Sequence, residues 1–371
     1  MGARLSERFV VWIAVLAAFG LVFAPVFGAG AQGVDAERLA GDGHAAKVRV
    51  MTRNLYLGAD LAPAFAARTP AELIAAVTGI YATVLASNFP ERAQALADEI
   101  VKGKPDFVGL QEAELWRSQT PADFSPVPNA NRVEFDFVQI LLDALAARGR
   151  PYAVVGMITN FDAEAPRAIP GGFQDVRLTD RDVLIVRADH EKHLSIANVH
   201  AENFRARLTI TTAVLSVTIP RGWVSADVTE HGKTFRLVTT HLEALHPVVN
   251  TLQGDELLAG PAATTLPVIV IGDLNSAADG SSTPTYANFV AAGFVDAWAV
   301  RHPNKAGYTC CEAEDLRNPT PTLTERIDFV LFKGAFRVSH VWLVGENSKD
   351  RTPSGLWPSD HAGVGARLKF R

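Results

Sequence analysis

Six short apolar runs in this chain end in, or carry, a residue able to hold a metal ion or move a proton. Val268–Ile271 runs through Gly272 into Asp273, with Asn275 two positions on. "TFRLVTT" leads directly into His241, and Phe107–Leu110 leads into Gln111 and Glu112. "KVRVMTRN" closes on Asn54, "RIDFVLF" carries Asp328, and Asp360-His361 precedes a last apolar stretch. Side chains at i and i+2 of an extended segment share a face, so Asp273 and Asn275 can point the same way as the strand leaves the core. Carboxylate and amide oxygens suit a hard divalent cation. A histidine oriented by an aspartate suits proton transfer.

Taken singly, each residue has an ordinary explanation. Asp, Asn and Gly form turns. Asn54 could cap one, Glu112 could be solvated at a helix start, and a lone His241 is more often a hydrogen-bonded core histidine. Asp328 is harder to dismiss, because an unpaired carboxylate in an apolar strand is costly and needs a donor such as an imidazole N–H. Recurrence of one event at so many strand ends is what points to a site.

The positioning elements follow from periodicity. Residues 47–57 read as a half-buried strand ending at Asn54. Residues 71–87 read as a helix. Pro90 opens another helix, with acids early and lysines late as the helix dipole prefers. Residues 134–148 read as a third, stopped by Gly149. Residues 180–187 form a strand with Asp182 inside it, and Leu194–Thr240 is mostly alternating and β-rich, with "RLTITTAVLSVTI" a clear strand. "TPTYANFVAAGF" reads as a short helix. This mixture predicts two packed, mostly antiparallel sheets with helices outside.

With 371 residues, 48% hydrophobic and 20% charged, the chain can bury a large single core. A net charge of −5 argues against a tight, non-specific nucleic-acid binder. It does not exclude an enzyme that cuts phosphodiesters, since catalytic carboxylates lower the pI themselves. Arg4 and Arg8 precede the apolar run Phe9–Phe27, and Ala29-Gly30-Ala31 follows. That pattern predicts an export signal over residues 1–31, cleaved near Gln32, with an N-terminal membrane anchor as the alternative. Residues 32–46 read as a linker and 47–371 as the catalytic domain. Cys310 and Cys311 are adjacent; a bridge between them is open, and their spacing does not suit zinc.

"RNLYL", "VGLQE", "TTHLE", "IGDLNS", "RIDFV" and "SDHAGV", in that order, resemble the motifs of the endonuclease/exonuclease/phosphatase superfamily. The resemblance spans roughly residues 47–371 and implies a four-layer α/β/β/α sandwich. It implies a phosphoesterase that uses magnesium, or another divalent cation such as manganese or calcium, and with the N-terminal pattern an exported one. It makes Glu112 the principal metal ligand, with Asn54 and Asp360 as helpers. His361 would take the proton from the attacking water, oriented by Asp328, although Asp273 is the other candidate base. Asn275 and His241 would donate hydrogen bonds to the phosphoryl oxygens, and His241 could protonate the leaving oxygen. Asp182 is a candidate support residue.

The resemblance does not decide the substrate; the first reading is a phosphodiester, either nucleic acid or a phospholipid headgroup. Residues 203–226 look like an extra β segment similar to that of sphingomyelinase-like members. The loop holding Lys349, Arg351 and Trp357 could grip a phosphate or stack on a base. A monomer without an obligate protein partner, in transient contact with a membrane surface, is expected. The alternatives are a phosphomonoesterase of the inositol phosphate kind and a non-catalytic binding protein on the same fold.

Overall fold

The computed structural model describes residues 46–189 and 194–371. The predicted export signal and nearly all of the linker lie outside the described residues. In chain order the first half contains β1 (Lys47–Asn54), α1 (Ala62–Ala66), α2 (Pro70–Ala86), α3 (Phe89–Gly103), β2 (Phe107–Gln111), β3 (Leu115–Gln119), β4 (Arg132–Asp136), α4 (Phe137–Ala147), β5 (Tyr152–Ile169) and β6 (Gly172–Arg187). Then come β7 (Leu194–Asn203), β8 (Leu208–Thr211), β9 (Ser216–Ile219), β10 (Gly222–Glu230), β11 (Lys233–His241), α5 (Pro247–Ala259), β12 (Val268–Asp273), α6 (Thr285–Ala291), β13 (Val295–Asp296), α7 (Ala297–Arg301), β14 (Asp328–Lys333), β15 (Phe336–Val344) and β16 (Gly363–Phe370).

The larger sheet runs β15-β16-β1-β2-β6-β3-β4, with β5 also on β6. The second runs β13-β14-β12-β11-β10-β7. Pairings are antiparallel except β1 with β2 and β11 with β12. Three apolar clusters separate four layers. Leu73, Val77 and Ile80 of α2, Leu96 and Ile100 of α3 and Leu141 of α4 cover the outer face of the larger sheet. Val50, Phe107 and Leu184 meet Phe235, Leu237, Ile269, Ile271 and Val330 between the sheets. Leu257 and Phe289 of α5 and α6 cover Val268, Val270 and Leu331. This is the expected α/β/β/α sandwich.

Strand parity then aims the functional side chains. Ile269 and Ile271 face the other sheet, so Asp273 does too. Phe235 and Leu237 set the same face for His241, Val330 and Phe332 for Asp328, and Val48 and Val50 for Asn54. The sheets approach closely at this end: a Cβ added to Gly109 would lie 2.3 Å from Thr239 Oγ1.

Two expected elements differ. Residues 132–136 are strand, and the third helix begins only at Phe137. The Asp136 side chain accepts from the Gln139 N–H as its cap, while Phe135 pairs with Trp116 of β3. "RLTITTAVLSVTI" is a hairpin of β8 and β9 instead of one strand, turned where Thr212 and Leu215 hydrogen-bond each other.

Candidate active site

His241, Asp273 and Asp328 are consecutive partners across β11, β12 and β14: His241 pairs with Asp273, and Asp273 with Asp328. They form one row on the inner face of the second sheet. Asn54 and Gln111 are partners at the matching end of β1 and β2, and Glu112 follows directly. Asn54 Nδ2 joins the two sides, donating to Glu112 Oε1 at 3.0 Å and to Asp273 Oδ2 at 3.2 Å. Its oxygen accepts from the Tyr56 N–H at 2.9 Å. Glu112 Oε2 accepts from the Leu57 N–H at 2.7 Å.

His361 Nδ1 lies 2.8 Å from Asp328 Oδ2 and 3.8 Å from Asp273 Oδ2. The His361 ring is buried, which alone would lower its pKa, yet Asp328, Asp360 and Asp273 hold it well above the usual range. His241 behaves oppositely: burial and then the Arg221 cation hold it well below. Burial and the neighbouring Asp360 raise Glu112 to about 7. Burial and Asp328 raise Asp273 to about 7. Asp360 is shifted up by burial as well. Asn275 Nδ2 stands 3.0 Å from His241 Nε2 and donates to the Leu242 carbonyl at 3.0 Å.

The backbone is strained around these groups. Tyr56, Glu112 and Asn275 have φ values of 60°, 51° and 45°. Asparagine tolerates that region, but glutamate and tyrosine pay for it, and such residues concentrate at functional sites.

Two buried arginines that sequence reasoning missed clamp the loops. Arg53 pairs with Glu99 at 2.9 Å and donates to the His361 carbonyl. Arg92 donates to the carbonyls of Leu55 at 2.6 Å, Tyr56 at 3.0 Å and Pro358 at 2.9 Å, so one guanidinium ties the segment after Asn54 to the segment before Asp360. It lies against Phe89, 5.0 Å from the ring centre. Ser359 Oγ donates to the Asn54 carbonyl at 2.8 Å and completes the tie. Alternating polar residues at "TRN" and an arginine in an amphipathic helix carry no sequence signal for this role.

Asp182 is fully buried and accepts from Asn160 Nδ2 at 2.9 Å. Asp180 and Arg221, also missed, are paired beside it at 3.0 Å. Glu114 is buried, and burial and Asp180 push its carboxyl well above the usual range. Trp357 does not stack on a ligand. It is fully buried with Tyr56, Leu316 and Leu356, because its loop folds inward and its indole N–H donates to the Asn318 carbonyl at 2.9 Å. Arg351 is turned back onto the Gly355 and Arg317 carbonyls, while Lys349 is exposed. Cys310 and Cys311 are bonded to each other, and Thr309 beside them accepts from the Ala362 N–H at 2.8 Å.

The donor set fits a hard cation. Asp273, Asp328 and His361 offer atoms within 4.8 Å of one another, all buried. Asp328 Oδ1 is buried and accepts no hydrogen bond among the described residues. The crowded carboxyls of Glu112, Asp273 and Asp360, all shifted up by burial, are what a divalent cation would neutralise.

A two-sheet sandwich with carboxylates, an amide and two histidines at one end of both sheets defines a phosphoesterase-type fold. The Endonuclease/Exonuclease/phosphatase family profile matches residues 84–361, and the chain belongs to that family. It is a metal-dependent hydrolase of phosphate esters. Solved structures similar to it include an endonuclease/exonuclease/phosphatase family protein from Leptotrichia buccalis, 16% identical with a TM-score of 0.54 over 87% of this chain and 100% of that one. The mannosyl-6-phosphatase of Bacteroides thetaiotaomicron is 17% identical, with a TM-score of 0.52 over 87% of this chain and 100% of its own. D. rerio TDP2, complexed with a single strand DNA product, is 19% identical, with a TM-score of 0.50 over 87% and 99%. No curated protein sequence matches the chain.

Proposed function

We propose that the protein is an exported phosphodiesterase that hydrolyses its substrate by metal-assisted attack of water. The observation that carries this reading is the row His241, Asp273, Asp328 facing Asn54 and Glu112, with His361 held 2.8 Å from Asp328. Glu112 and Asp360 would hold a divalent cation, magnesium first, with Asn54 supporting them. The cation would neutralise and orient the phosphate. Of the two candidate bases, Asp273 is the one free to receive the proton of the attacking water, while Asp328 orients His361 and keeps its imidazole charged beside it. His241 and Asn275 donate toward the phosphoryl oxygens as charge builds there. Asp182 supports the Glu112 side of the site.

The β8–β9 hairpin bears on the substrate. Its Val214 packs on the core beneath α2, and Leu215 and Val217 line a small apolar recess with Tyr81, Trp116 and Phe161. An apolar hairpin folded down onto its own domain favours nucleic acid over insertion into a lipid surface. Phosphomonoester hydrolysis is the second reading, favoured by the likeness to a mannosyl-6-phosphatase. Export rests on the pattern of residues 1–31. No single helix among the described residues is long and apolar enough to cross a membrane.

The test uses residues 32–371 with plasmid DNA, sphingomyelin vesicles, and the mono- and bis-nitrophenyl phosphates, each with magnesium and with chelator. Magnesium-dependent cleavage of DNA and of the diester is expected. Cleavage of the monoester alone would replace this reading with the second, and no metal-dependent cleavage of any of the four would remove both.

A further inference from the structure

Pro166 of β5 pairs with Asp175 of β6, and Glu164 with Arg177, so Glu164 and Asp175 are diagonal neighbours on one face of the larger sheet. Ala165 and Val176, which alternate with them, point the other way into the core beneath α2. Asp175 comes seven residues before Asp182, about 23 Å along the strand from the candidate active site. The loop between β3 and β4 folds over these two acids and brings a third. The Asp123 N–H donates to Asp175 Oδ2 at 2.8 Å. The Asn129 and Ala130 N–H groups donate to Glu164 Oε2 at 2.8 and 2.7 Å. Asp123, Glu164 and Asp175 then offer carboxylate oxygens within 4.8 Å of one another.

Three acids at this spacing are not by themselves a site. Glu164 is what marks this one. It is 5% exposed, and its other oxygen, Oε1, is buried and accepts no hydrogen bond among the described residues. Asp175 is 2% exposed. The guanidiniums of Arg117 and Arg177, on the same face, pair with Asp162 instead. A buried carboxylate oxygen with neither donor nor cation is costly. Hydrogen bonds from Asn129 and then Ser125 hold the Asp123 carboxyl below its usual range, while burial raises Glu164 and Asp175.

We infer that Asp123, Glu164 and Asp175 form a calcium site that pins the β3–β4 loop to β5 and β6, separate from the cation of the candidate active site. The three donors are all carboxylate oxygens, with no imidazole or thiol to select a softer metal. Calcium takes about six to eight oxygens in flexible geometry, so loop carbonyls and water can complete a shell around these acids, whereas magnesium demands a near-ideal octahedron. Asp123 is exposed, so the ion has a path from solvent. The inference does not rest on the phosphoesterase reading.

The experiment titrates calcium chloride, in excess magnesium, into residues 32–371 and into the Glu112→Gln variant, by calorimetry and by thermal melt. Both should bind one calcium per chain and melt roughly 5 °C higher at about a hundredfold excess over Kd. Asp123→Asn and Asp175→Asn should each weaken calcium binding by roughly tenfold or more. Asp123→Asn should leave magnesium-supported hydrolysis of bis-nitrophenyl phosphate unchanged. Absence of calcium binding in Glu112→Gln would overturn the inference, because any calcium seen in the parent would belong to the active site. Undiminished binding in Asp123→Asn and Asp175→Asn would overturn it too, placing the ion elsewhere. A parent that binds no calcium, with Asp175→Asn melting higher than the parent, would show the acids to be held together by protons alone. If Asp175→Asn does not fold, the exposed Asp123→Asn decides. Because calorimetry needs no substrate, its failure is distinguishable from failure of the proposed function.

Discussion

Asp273 and Asp328 stand directly opposite each other on antiparallel β12 and β14, with both carboxylates buried and facing the gap between the sheets. Two acids in that relation cannot both ionise freely without a compensating charge. His361 supplies one from the Asp328 side. Asp328→Asn removes the partner that orients and charges His361. We expect kcat to fall by roughly a hundredfold to ten-thousandfold, the range seen when a histidine loses its orienting aspartate. The melting temperature should fall as well, because the charged His361 loses the buried carboxylate that pairs with it at 2.8 Å. Steady-state kinetics with a thermal melt checks both. An unchanged kcat would show that His361 does not work through Asp328.

Glu112, the proposed metal ligand, and Asp273 beside it are both held near pKa 7 by burial and a neighbouring acid, so metal binding at the proposed site is expected to depend on pH. Their folded pKa values lie above the ordinary carboxylate value. In the metal-free protein the stability from these two groups is therefore fully present at acid pH. It is lost as pH rises through about 7, where the folded carboxyls must ionise in a crowded, dry place. A bound cation reverses the sense, because it needs the ionised forms. Magnesium should raise the melting temperature more above pH 7 than below it, and titration calorimetry should show weaker binding and more proton release on the acid side. Affinity independent of pH across this window would separate these acids from the metal site.

Arg53 and Glu99 form a fully buried ion pair, and the same guanidinium donates to the His361 carbonyl. Removing one partner leaves the other charge buried and alone. Arg53→Met should therefore cost about 3–5 kcal/mol in urea unfolding. The double variant Arg53→Met with Glu99→Leu should regain most of that stability. It should not regain activity, because the His361 carbonyl still lacks its donor. Full recovery of turnover in the double variant would reduce Arg53 to a packing role.

The motif residues were legible because chemistry and periodicity coincide at them: a β-branched run sets the strand, and a single polar residue at its end has no packing reason to be there. The elements that escaped lacked such a contrast. Helix α5 buries Asn250 and Gln253 against loop carbonyls and Gly254 against Thr285 of α6, so its inner face shows no apolar stripe. Strand β5 is largely half-exposed along 18 residues and carries Pro166 inside it, which reads against a strand. Trp357 is a large aromatic in a polar loop, and only packing against Tyr56 and Leu316 tells that it faces inward.

The sequence alone pointed to two packed sheets with helices outside and to the candidate site residues at their strand ends, because strand parity and strand ends are local properties of a dozen residues at most. It could not determine register. That His241, Asp273 and Asp328 lie in one row is a fact about three strands 87 residues apart at the extremes, decided when the sheet formed. Nor could it show that Arg53, Arg92 and Arg221 bind the site together. A guanidinium's role depends on which carbonyls, carboxylates and imidazoles the folded chain brings within its reach, and those partners come from segments far apart in sequence.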